Sequence, residues 1–409
     1  MIFASKKVTI GVSGGIAAYK ACEIIRELKK LGAEVRVVMT RAAQNFVSEL
    51  SFATLSENPV LCSLFEEKNP SGVVHIDLAR WCDVFLICPA TANIIGKVAS
   101  GIADEVLSTV LMATDSKVIF CPAMNSKMWT NPVVQQNVAR LKKFGYEFVE
   151  PEWGAMATAS EGEGPGRLAT TRRIIQKLKY TLLGSDELKG KKVIVTAGAT
   201  REPLDPVRFI TNHASGKMGF ALAEAAKLKG AEVVLIAGAN QLDYFEETKS
   251  IEVATAEEMK NAVFQEYENT DILLMAAAVA DYKPKYISTH KLKKTSAKFS
   301  LELQKTSDIL AELGVKKDKC LHVGFALETE NGVKNATKKL HAKNLDLIVL
   351  NNPLKPGAAF SSDTNIITLI SKDGTVDHFP KLPKTAVANI ILEKVCEMKQ
   401  NNYCQTAVS

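Results

Sequence analysis

One stretch just before the middle of the chain restricts the possible folds more than any other. It begins with the β-rich apolar run Val193–Ala197, which ends at Gly198, where a missing Cβ lets backbone N–H groups approach a ligand closely. Pro203 and Pro206 exclude a helix directly after this run, so the sequence predicts a strand followed by a long loop. A strongly helix-forming segment comes next. This order of strand, glycine turn, loop and helix predicts an α/β unit.

The end of this loop predicts an anion-binding site. The loop ends near Asn212, and Ser215, Gly216 and Lys217 come just before the helix, with Ser215 as the expected N-cap. Unpaired N–H groups at a helix start, the helix dipole and the ammonium of Lys217 together favour a phosphate or a carboxylate. The alternative is an ordinary strand–loop–helix, but a loop this long and polar is unusual without a ligand. We therefore favour a nucleotide or phosphate site.

The length and composition of the chain exclude several classes of protein. With 409 residues it is too long for one ordinary core and predicts two domains. The net charge of +6 is small and no dense basic block has interleaved aromatic residues, so we expect no nucleic-acid partner. The longest apolar run, Ile272–Ala280, is far shorter than the ~20 residues of a membrane helix, so we expect no membrane partner.

The cysteines and the N-terminus predict a cytoplasmic location. The 8 cysteines form neither a CxxC pair nor a metal-ligand spacing with histidine, so we expect reduced thiols. The first residues lead directly into a strand without a cleavable apolar segment, so secretion is not expected.

The first half of the chain predicts another α/β unit. The apolar run Val8–Val12 precedes a turn with Ser13, Gly14 and Gly15, then a helix, then a second strand, Glu34–Met39. The turn would place Ser13 and the glycines at a helix start, where they can hold a phosphate. Many α/β proteins use such a turn only for tight packing, so by itself the turn leaves both interpretations open.

Polar side chains follow further strands of this half. Thr40 comes at the end of the second strand, and Thr91 and Asn93 follow the buried strand Val84–Cys88. Because ligands of an open parallel sheet bind outside the carboxyl ends of its strands, we expect Ser13, Thr91 and Asn93 to converge on one pocket.

An asparagine among apolar residues marks another strand end. The strand Lys117–Cys121 is followed by a proline and then by Met124, Asn125, Met128 and Trp129. A single amide in apolar surroundings can bind a carboxylate, and those surroundings would favour loss of the charge as CO2. A core cluster of methionine and tryptophan with a turn-forming asparagine is the alternative.

The sequence predicts regular alternation in the second half as well. A hairpin turn is expected at Asp373-Gly374 and a Pro/Gly loop at 353–359. In the first half, a helix is also expected at Phe46–Leu55. The further predicted strands and helices are Glu232–Ala237, Ala256–Glu268, Asp271–Ala276, Leu321–Ala326, Gly332–Lys343, Leu345–Asn351 and Thr385–Lys399.

These motifs resemble a known family in two stretches. Residues 8–167 carry GVSGGIAAYK, HIDLARWCD, PATANIIGKVASGIADEVLS and PAMNSKMW, and they are similar to flavin-dependent cysteine decarboxylases. Residues 196–219 resemble the start of the ligase half of the bifunctional phosphopantothenoylcysteine decarboxylase/phosphopantothenate–cysteine ligases of coenzyme A biosynthesis. The resemblance implies two doubly wound, Rossmann-like three-layer α/β domains. A flavodoxin-like flavoprotein domain at 1–184 would precede a ligase domain at 189–405.

The resemblance implies FMN as the cofactor of the first domain. It also implies His75 as a catalytic base, a role that suits a side chain with a pKa near neutrality. Asn125, with Met124 beside it, would bind the substrate carboxylate. Oxidation of the cysteine side chain to a thioaldehyde would give decarboxylation an electron sink, and a later reduction returns the electrons. The implied FMN contacts are Ser13, Gly14, Thr40, Pro89, Ala90, Thr91, Asn93 and Ser108.

Ser160 departs from the family pattern. The family has a proton-donating cysteine in an Ala-Cys-Gly segment upstream of Gly-x-Gly-Arg, and Ser160 stands in its apparent place before Gly164–Arg167. A serine hydroxyl is a far weaker acid than a thiol, whose pKa is about 8.5. Either another group donates, with Glu161 and Glu163 as candidates, or the reaction stops at the enethiol, or the segment was altered by mutation. We expect decarboxylation with slow flavin turnover.

A lysine-rich loop follows the strand Asp271–Ala276. Such a loop is usually a solvated surface, but beside a phosphate site it would be a lid that neutralises a triphosphate. The resemblance implies CTP and Mg²⁺, with Asp281 at the metal, Lys291 as a catalytic lysine and Asn212 promoting attack on an acyl-cytidylate. The segment Lys305–Asp308 departs from the family's Asn-Pro-Asp pattern. The implied CTP contacts are Asp281, Lys291, Thr306, Ser307, Asp308, Ile309, Phe325, Lys339 and Lys343.

Together these features predict an enzyme with two consecutive reactions. CTP-dependent coupling of 4′-phosphopantothenate to cysteine would be followed by FMN-dependent decarboxylation to 4′-phosphopantetheine. The alternatives are a non-catalytic flavin-binding regulatory module and a peptide cysteine decarboxylase that stops at the enethiol. The resemblance further implies a homo-oligomer, in which trimers of the first domain assemble into a dodecamer tied by dimers of the second.

Overall fold

The computed structural model describes residues 2–64, 74–240, 248–293, 300–352, 354 and 362–406. The chain divides into two compact units, Met1–Leu183 (unit 1) and Gly184–Ser409 (unit 2). Apart from Leu354, the loop predicted at 353–359 lies outside the described residues. Within the described part of the chain, no helix is long and apolar enough to cross a bilayer.

Unit 1 combines a parallel sheet with flanking helices. Its strands are β1 (Lys7–Val12), β2 (Glu34–Met39), β3 (Val60–Leu61), β4 (Val84–Ala90), β5 (Lys117–Pro122), β6 (Glu147–Phe148), β7 (Glu152–Ala155) and β8 (Glu163–Arg167). Its helices are α1 (Lys20–Leu31), α2 (Glu49–Ser56), α3 (Val74–Trp81), α4 (Ala92–Ala99), α5 (Val106–Ala113), α6 (Ser126–Trp129), α7 (Pro132–Lys143) and α8 (Thr171–Leu183).

The parallel sheet of unit 1 has the strand order β3-β2-β1-β4-β5-β6, and β7 and β8 form a separate antiparallel hairpin. Successive strand residues point to opposite faces: Leu86 packs in one apolar cluster, and Phe85 and Ile87 pack in another. Helices therefore cover both faces, which confirms the predicted doubly wound, three-layer domain. The strand order reverses between β1 and β4, and the carboxyl ends of these two strands are called switch point 1 here.

Unit 2 repeats this plan with additional ribbons. Its strands are β9 (Lys192–Ala197), β10 (Arg201–Pro203), β11 (Phe209–Thr211), β12 (Glu232–Ala237), β13 (Lys249–Glu252), β14 (Ile272–Met275), β15 (Tyr282–Pro284), β16 (Leu303–Lys305), β17 (Leu321–Leu327), β18 (Leu347–Asn351), β19 (Thr364–Asn365), β20 (Ile367–Ser371), β21 (Val376–His378) and β22 (Leu382–Pro383). Its helices are α9 (Lys217–Leu228), α10 (Ala256–Glu266), α11 (Ile309–Lys316), α12 (Gly332–Ala342) and α13 (Lys384–Thr406).

The main sheet of unit 2 has the order β13-β12-β9-β14-β17-β18-β20-β21. Its first six strands are parallel. Counted along the chain, they lie side by side in the order third, second, first, fourth, fifth and sixth, as in the sheet of unit 1. The strands β20 and β21 extend the sheet in antiparallel fashion. Apolar clusters on both faces confirm the second doubly wound domain. The carboxyl ends of β9 and β14 form switch point 2.

Several predicted boundaries move. The helix expected at Phe46–Leu55 is α2, which starts at Glu49 because a 3-10 turn, Ala43–Asn45, comes first. The long loop after β9 contains the β10–β11 hairpin, where Pro203 pairs with Phe209 in a two-stranded ribbon that tolerates proline at its edge. The lysine-rich loop likewise begins and ends in paired strands, β15 and β16.

Candidate functional sites

Switch point 1 brings together the polar residues that follow β1 and β4. The Ser13 hydroxyl donates to the carbonyl oxygen of Pro89 at 2.7 Å and lies 3.1 Å from the Thr91 hydroxyl. The backbone N–H of Thr91 donates to the Ser13 hydroxyl at 3.0 Å. Ser13 is only 2% exposed, so these bonds fix the two loops against each other in a buried setting.

Two helical segments start at this edge. A 3-10 turn, Ile16–Tyr19, begins after Gly15 and continues into α1, and Thr91 is the N-cap of α4; within the described residues neither start has a side-chain cap. Gly14 lies directly against Ala42, so a Cβ there would overlap the loop after β2. Small residues and uncapped helix starts at one edge fit the phosphate of a nucleotide cofactor.

The remaining predicted FMN contacts differ in their surroundings. Thr40 is buried, and its hydroxyl accepts a hydrogen bond from the N–H of Ala43 at 3.2 Å. Ser108 is fully buried in a capping box, donating to the Glu105 carbonyl at 3.1 Å and accepting from the Glu105 N–H at 3.3 Å. Asn93 is exposed on the first turn of α4. Their contacts with a cofactor stay predictions.

Asn125 caps the short helix α6. Its Oδ1 accepts a hydrogen bond from the N–H of Lys127 at 2.9 Å, so the amide NH2 group points outward, away from the first turn of α6. An outward NH2 group is a donor and suits a carboxylate. The predicted apolar surroundings are only partly present, because Trp129 packs in the core of unit 1 and Met128 is 47% exposed.

The β7–β8 hairpin lies on the Asn125 segment. The Met124 N–H donates to the Gly166 carbonyl at 3.0 Å, and a Cβ at Gly166 would overlap the Met124 carbonyl. Ser160 lies in the exposed tip of this hairpin, with its hydroxyl 3.0 Å from the Thr158 hydroxyl. The structure therefore brings the Ser160 hairpin and the Asn125 segment together.

His75 is the second residue of α3 and is partly buried. Among the described residues, no hydrogen bond joins His75 to Ser13, Asn125 or Ser160. Within the described part of unit 1, the predicted base is therefore not joined by a hydrogen bond to the other predicted groups.

Switch point 2 opens into a cavity of about 870 Å³. All the predicted ligand contacts of unit 2 except Lys291 line it: Asn212, Ser215, Gly216, Lys217, Asp281, Thr306, Ser307, Asp308, Ile309, Phe325, Lys339 and Lys343. Lys291 is exposed and lies outside this wall.

Two glycines place the start of α9 against β9. The N-cap of α9 is Gly216 and not Ser215 as expected, because this position has a left-handed φ of +80°, which favours glycine. A Cβ at Gly219 would come within 2.5 Å of the Ala197 Cβ and 2.7 Å of the Thr196 carbonyl oxygen. Glycine is therefore needed for the first turn of α9 to reach the end of the strand.

Hydrogen bonds fix the loops around the cavity. The Asn212 side-chain NH2 donates to the carbonyl of Ala278 at 3.2 Å, so its Oδ1 is turned away from that loop. The N–H of Ala280 donates to the Thr200 hydroxyl at 3.0 Å. The loops after β9 and β14 thus hold each other in place at the switch point.

The opposite wall carries lysines paired with acidic side chains. Lys343 lies 2.9 Å from Asp308, the N-cap of α11, and Lys339 lies 2.7 Å from Glu328. The N–H of Thr306 donates to the carbonyl of Asp281 at 3.0 Å. Both signs of charge therefore line this end of the cavity, as a nucleotide with a bound cation requires.

Sequence reasoning missed Lys384 and Asp363. Lys384 is the first residue of α13, lines the cavity and is 9% exposed. Asp363 lies 2.5 Å from Lys217. Burial lowers the pKa of Lys384, the positive charge of Lys217 lowers it further, and Asp363 opposes both effects. A lysine at a helix start, where the helix dipole disfavours a cation, was the available signal.

Comparison with known proteins covers almost the whole chain. Residues 3–183 match the family model described as Flavoprotein, and residues 188–398 match the C-terminal domain of DNA/pantothenate metabolism flavoproteins. The chain is 45% identical over 399 residues to the coenzyme A biosynthesis bifunctional protein CoaBC of Bacillus subtilis (strain 168), covering 97% of this chain and 98% of that protein.

Two further relatives and one structure are similar. The CoaBC protein of Escherichia coli (strain K12) is 39% identical, over 97% of this chain and 98% of that protein. A cysteine/cysteine sulfinic acid decarboxylase of an unknown prokaryotic organism is 42% identical, over 85% of this chain and 98% of that protein. A crystal structure of the C-terminal domain of CoaBC is 44% identical with a TM-score of 0.46, covering 53% of this chain and all of that one.

Proposed function

This chain belongs to the family of bifunctional coenzyme A biosynthesis proteins, and we propose that its two switch points carry the two reactions separately. It is an enzyme with decarboxylase and ligase activities. Unit 2 would join 4′-phosphopantothenate to cysteine with CTP and Mg²⁺ through an acyl-cytidylate. Unit 1 would then decarboxylate phosphopantothenoylcysteine to 4′-phosphopantetheine with FMN.

The cavity at switch point 2 is the observation that carries the ligase assignment. Its volume of about 870 Å³ lies in the upper part of the range of about 300–1,000 Å³ that is usual for ligand pockets, so it has room for two substrates. Lys339 and Lys343 would neutralise the triphosphate, and Asp281 would bind its Mg²⁺. Phe325 lines the same space and offers an aromatic face to the cytosine.

The other end of the cavity suits the acid substrate. Lys217 and Lys384 are the first residues of α9 and α13, so two ammonium groups and two helix starts meet there. Ser215 and Gly216 lie beside them. A phosphate at this end would be held by charge and by helix N–H groups. Asn212, fixed by its bond to Ala278, would then orient the activated carboxyl for attack by the cysteine amine.

Lys291 is carried by a ribbon that leaves the cavity rim. Asp281 and Thr306 line the cavity and are joined by a hydrogen bond, and β15 and β16 run outward from them. We assign Lys291 to the neutralisation of charge on the triphosphate, where an added cation stabilises the charge that develops during transfer. Thr306, Ser307, Asp308 and Ile309 would contact the nucleotide from the start of α11.

In unit 1, the polar edge at switch point 1 would hold FMN. Ser13 and Thr91 with the uncapped helix starts would bind its phosphate, and Gly14 gives the backbone the close approach that this needs. Bound FMN supplies reversible two-electron oxidation and reduction. The outward NH2 group of Asn125 would hold the substrate carboxylate, and His75 would remove the thiol proton.

Ser160 lies on the hairpin that covers the Asn125 segment, where the family cysteine would stand. Its hydroxyl is a poor proton donor, so release of the reduced product would be slow. Glu161 and Glu163 on the same hairpin are the alternative donors. This arrangement supports decarboxylation followed by slow completion of the cycle.

Oligomers would complete the site of unit 1. His75 has no hydrogen bond to the other predicted groups within the described part of one chain, and large apolar side chains are exposed near the starts of α1 and α2. Tyr19 is 59% exposed and Leu50 is 74% exposed. We propose trimers of unit 1, joined into a dodecamer through dimers of unit 2. Cys82, Cys88, Cys121, Cys320 and Cys396 are buried free thiols, which supports a cytoplasmic location.

The test is a substrate-omission assay on the purified full chain. With phosphopantothenate, cysteine, CTP and Mg²⁺ we expect pyrophosphate and CO2, and bleaching of the flavin colour that recovers slowly. Without CTP neither product should form, but phosphopantothenoylcysteine alone should still release CO2. Colourless protein that releases no pyrophosphate from the complete mixture would refute the assignment.

One relative is named a cysteine/cysteine sulfinic acid decarboxylase, and it favours a second candidate function. Free cysteine would then be the substrate of unit 1, and cysteine alone would release CO2 without CTP. The same assay includes this condition. We expect no CO2 from free cysteine, because the proposed substrate of unit 1 is the amide that unit 2 forms from cysteine and 4′-phosphopantothenate.

A further inference from the structure

Asp205 is a buried carboxylate that gathers five hydrogen bonds. It lies in the turn between β10 and β11 and is 3% exposed. Its Oδ1 accepts from the N–H groups of Val207 and Arg208, both at 2.8 Å. Its Oδ2 accepts from the Arg208 guanidinium at 2.6 and 3.0 Å and from the N–H of Leu292 at 3.1 Å. These bonds hold the pKa of Asp205 well below its usual range, and the hydrogen bond from the Arg208 guanidinium has the largest effect.

The bond to Leu292 ties the loop that carries Lys291 to this turn. The carbonyl of Leu292 also accepts from the Arg208 guanidinium at 2.9 Å, so the residue after Lys291 is held from both sides. Three residues before Lys291, the N–H of Ser288 donates to the carbonyl of Leu204 at 3.0 Å. Lys291 therefore sits between two points that are fixed to the tip of the β10–β11 hairpin.

The same hairpin leads into the cavity. Asn212 follows β11 directly and donates to the carbonyl of Ala278 in the loop after β14. At the base of the hairpin, the Thr211 hydroxyl donates to the carbonyl of Thr200 at 2.7 Å. One short ribbon thus has Asn212 at its base, on the cavity wall, and the Lys291 loop at its tip.

We propose that Asp205 is a positioning residue for Lys291. Its carboxylate fixes the Lys291 loop to the hairpin and so sets where the lysine stands relative to Asn212 and the triphosphate end of the cavity. The inference rests on the proposed role of Lys291 in the ligase reaction.

The substitution Asp205→Asn tests the position of the Lys291 loop while it keeps the size of the side chain at residue 205. An asparagine has nearly the same size, but it has one acceptor oxygen where the carboxylate has two, and its NH2 group would face the donors of Arg208 and Leu292. The turn itself can persist through the remaining oxygen, while the tie to the Lys291 loop is lost. Asp373→Asn is a matched control, because Asp373 likewise accepts a backbone N–H, from Thr375 at 2.9 Å, and lies outside the cavity wall.

The experiment measures CTP-dependent pyrophosphate release by the full-length protein. Since a displacement of about 1 Å can cost about 100-fold in rate, we expect Asp205→Asn to lower kcat by about 10- to 100-fold with little change in the KM for cysteine. Asp373→Asn should keep the wild-type rate. Binding of CTP by calorimetry verifies that unit 2 is folded in each variant, and Asp205→Glu, which retains the carboxylate, should regain part of the rate.

A double-mutant cycle with Lys291→Ala decides the mechanism. If Asp205 acts through Lys291, the double variant should be no slower than Lys291→Ala alone. Losses that multiply in the double variant, or a wild-type rate for Asp205→Asn, would overturn the inference while leaving the role of Lys291 intact. A wild-type rate for Lys291→Ala would instead refute the proposed role of Lys291 and remove the basis of the inference.

Discussion

The two switch points are built on the same order of strands, but they leave different spaces for ligands. In unit 1, three residues separate β1 from the next helical turn, and Ser13 bonds directly to the loop after β4. In unit 2, the connection from β9 to α9 contains a whole hairpin, and the switch point opens into a cavity of about 870 Å³. Strand order thus fixes where a ligand binds, and the inserted segments fix which ligand fits.

The charges at the two edges differ in the same way. Hydroxyl and backbone groups dominate switch point 1, and they suit one bound phosphate. Lysines from α9, α12 and α13 line switch point 2, and they suit the larger negative charge of a triphosphate and an acid substrate. Changes at one edge should therefore leave the reaction at the other edge intact.

The largest effect is expected from Gly14→Val. A Cβ at this position overlaps Ala42, so the loops after β1 and β2 must move apart, and the proposed phosphate-binding edge would be lost. We expect the purified variant to lose its flavin absorbance and to decarboxylate phosphopantothenoylcysteine at least about 100-fold more slowly. Gly96→Ala in α4 is the control, because its Cβ would meet only Asn137 at 3.7 Å and should be harmless. Retained colour and activity in Gly14→Val would contradict the placement of the flavin.

The next largest effect is a gain, from Ser160→Cys. A thiol at the hairpin tip would supply the acid that serine lacks, and general acids contribute about 100-fold or more. In a single turnover, flavin colour should therefore return about 100-fold faster after bleaching. Thr158→Cys, two residues away on the same hairpin, should bring no such gain. An unchanged recovery rate in Ser160→Cys would mean that another residue donates the proton.

A smaller effect is expected from Lys384→Met. The substitution keeps the length of the side chain but removes its charge, and a charge-assisted contact is usually worth about 1.5–3 kcal/mol. The KM for phosphopantothenate should rise by about 10-fold or more, with decarboxylation unchanged. Because burial lowers the pKa of Lys384, the wild-type KM should begin to rise at a lower pH than an ordinary lysine would allow. That rise should be absent in the variant.

The control for this prediction is Lys338→Met, an exposed lysine of α12 outside the cavity wall. It should leave both reactions at their wild-type rates. An unchanged KM for phosphopantothenate in Lys384→Met would refute the proposal that this substrate binds beside Lys384.

The smallest effect on activity comes from His322, which should act on the stability of unit 2 alone. His322 is fully buried and lies 2.6 Å from the Tyr267 hydroxyl. Burial, with a smaller effect from Lys317, lowers its pKa from 6.5 to about 4. The unfolded chain therefore takes up a proton as pH falls below 6.5, before the folded chain does. The free energy of unfolding should drop by roughly 3 kcal/mol between pH 6.5 and pH 4.

Urea unfolding can assign this loss to one unit. The 3 tryptophans all lie in unit 1, so fluorescence follows unit 1 and circular dichroism follows both units. His322→Gln, which keeps an acceptor for Tyr267 but cannot titrate, should reduce the pH dependence of unit 2. His378→Gln, an exposed histidine beside Thr368, should leave it unchanged. An equal pH dependence in wild type and His322→Gln would refute this explanation.

The sequence predicts the two sheets and most of their polar edges, because apolar runs that stop at glycine or proline mark strand ends. It does not predict the β10–β11 and β15–β16 ribbons, whose three-residue strands are too short for a periodic pattern. The prediction of Ser215 as the N-cap of α9 is wrong, because the left-handed backbone at Gly216 depends on tertiary packing. Lys384 lies near Lys217 because α13 packs on α9, and the spacing of residues in the sequence does not show this packing.

The central claim is that each switch point serves one reaction, and it is tested most directly by measuring both products in two variants. Gly14→Val and Gly219→Val each force a Cβ into the backbone beside one switch point. With phosphopantothenate, cysteine, CTP and Mg²⁺, Gly14→Val should release pyrophosphate but little CO2. Gly219→Val should release little pyrophosphate, yet still release CO2 from supplied phosphopantothenoylcysteine. Loss of pyrophosphate release in Gly14→Val, or loss of CO2 release from supplied phosphopantothenoylcysteine in Gly219→Val, would contradict the account.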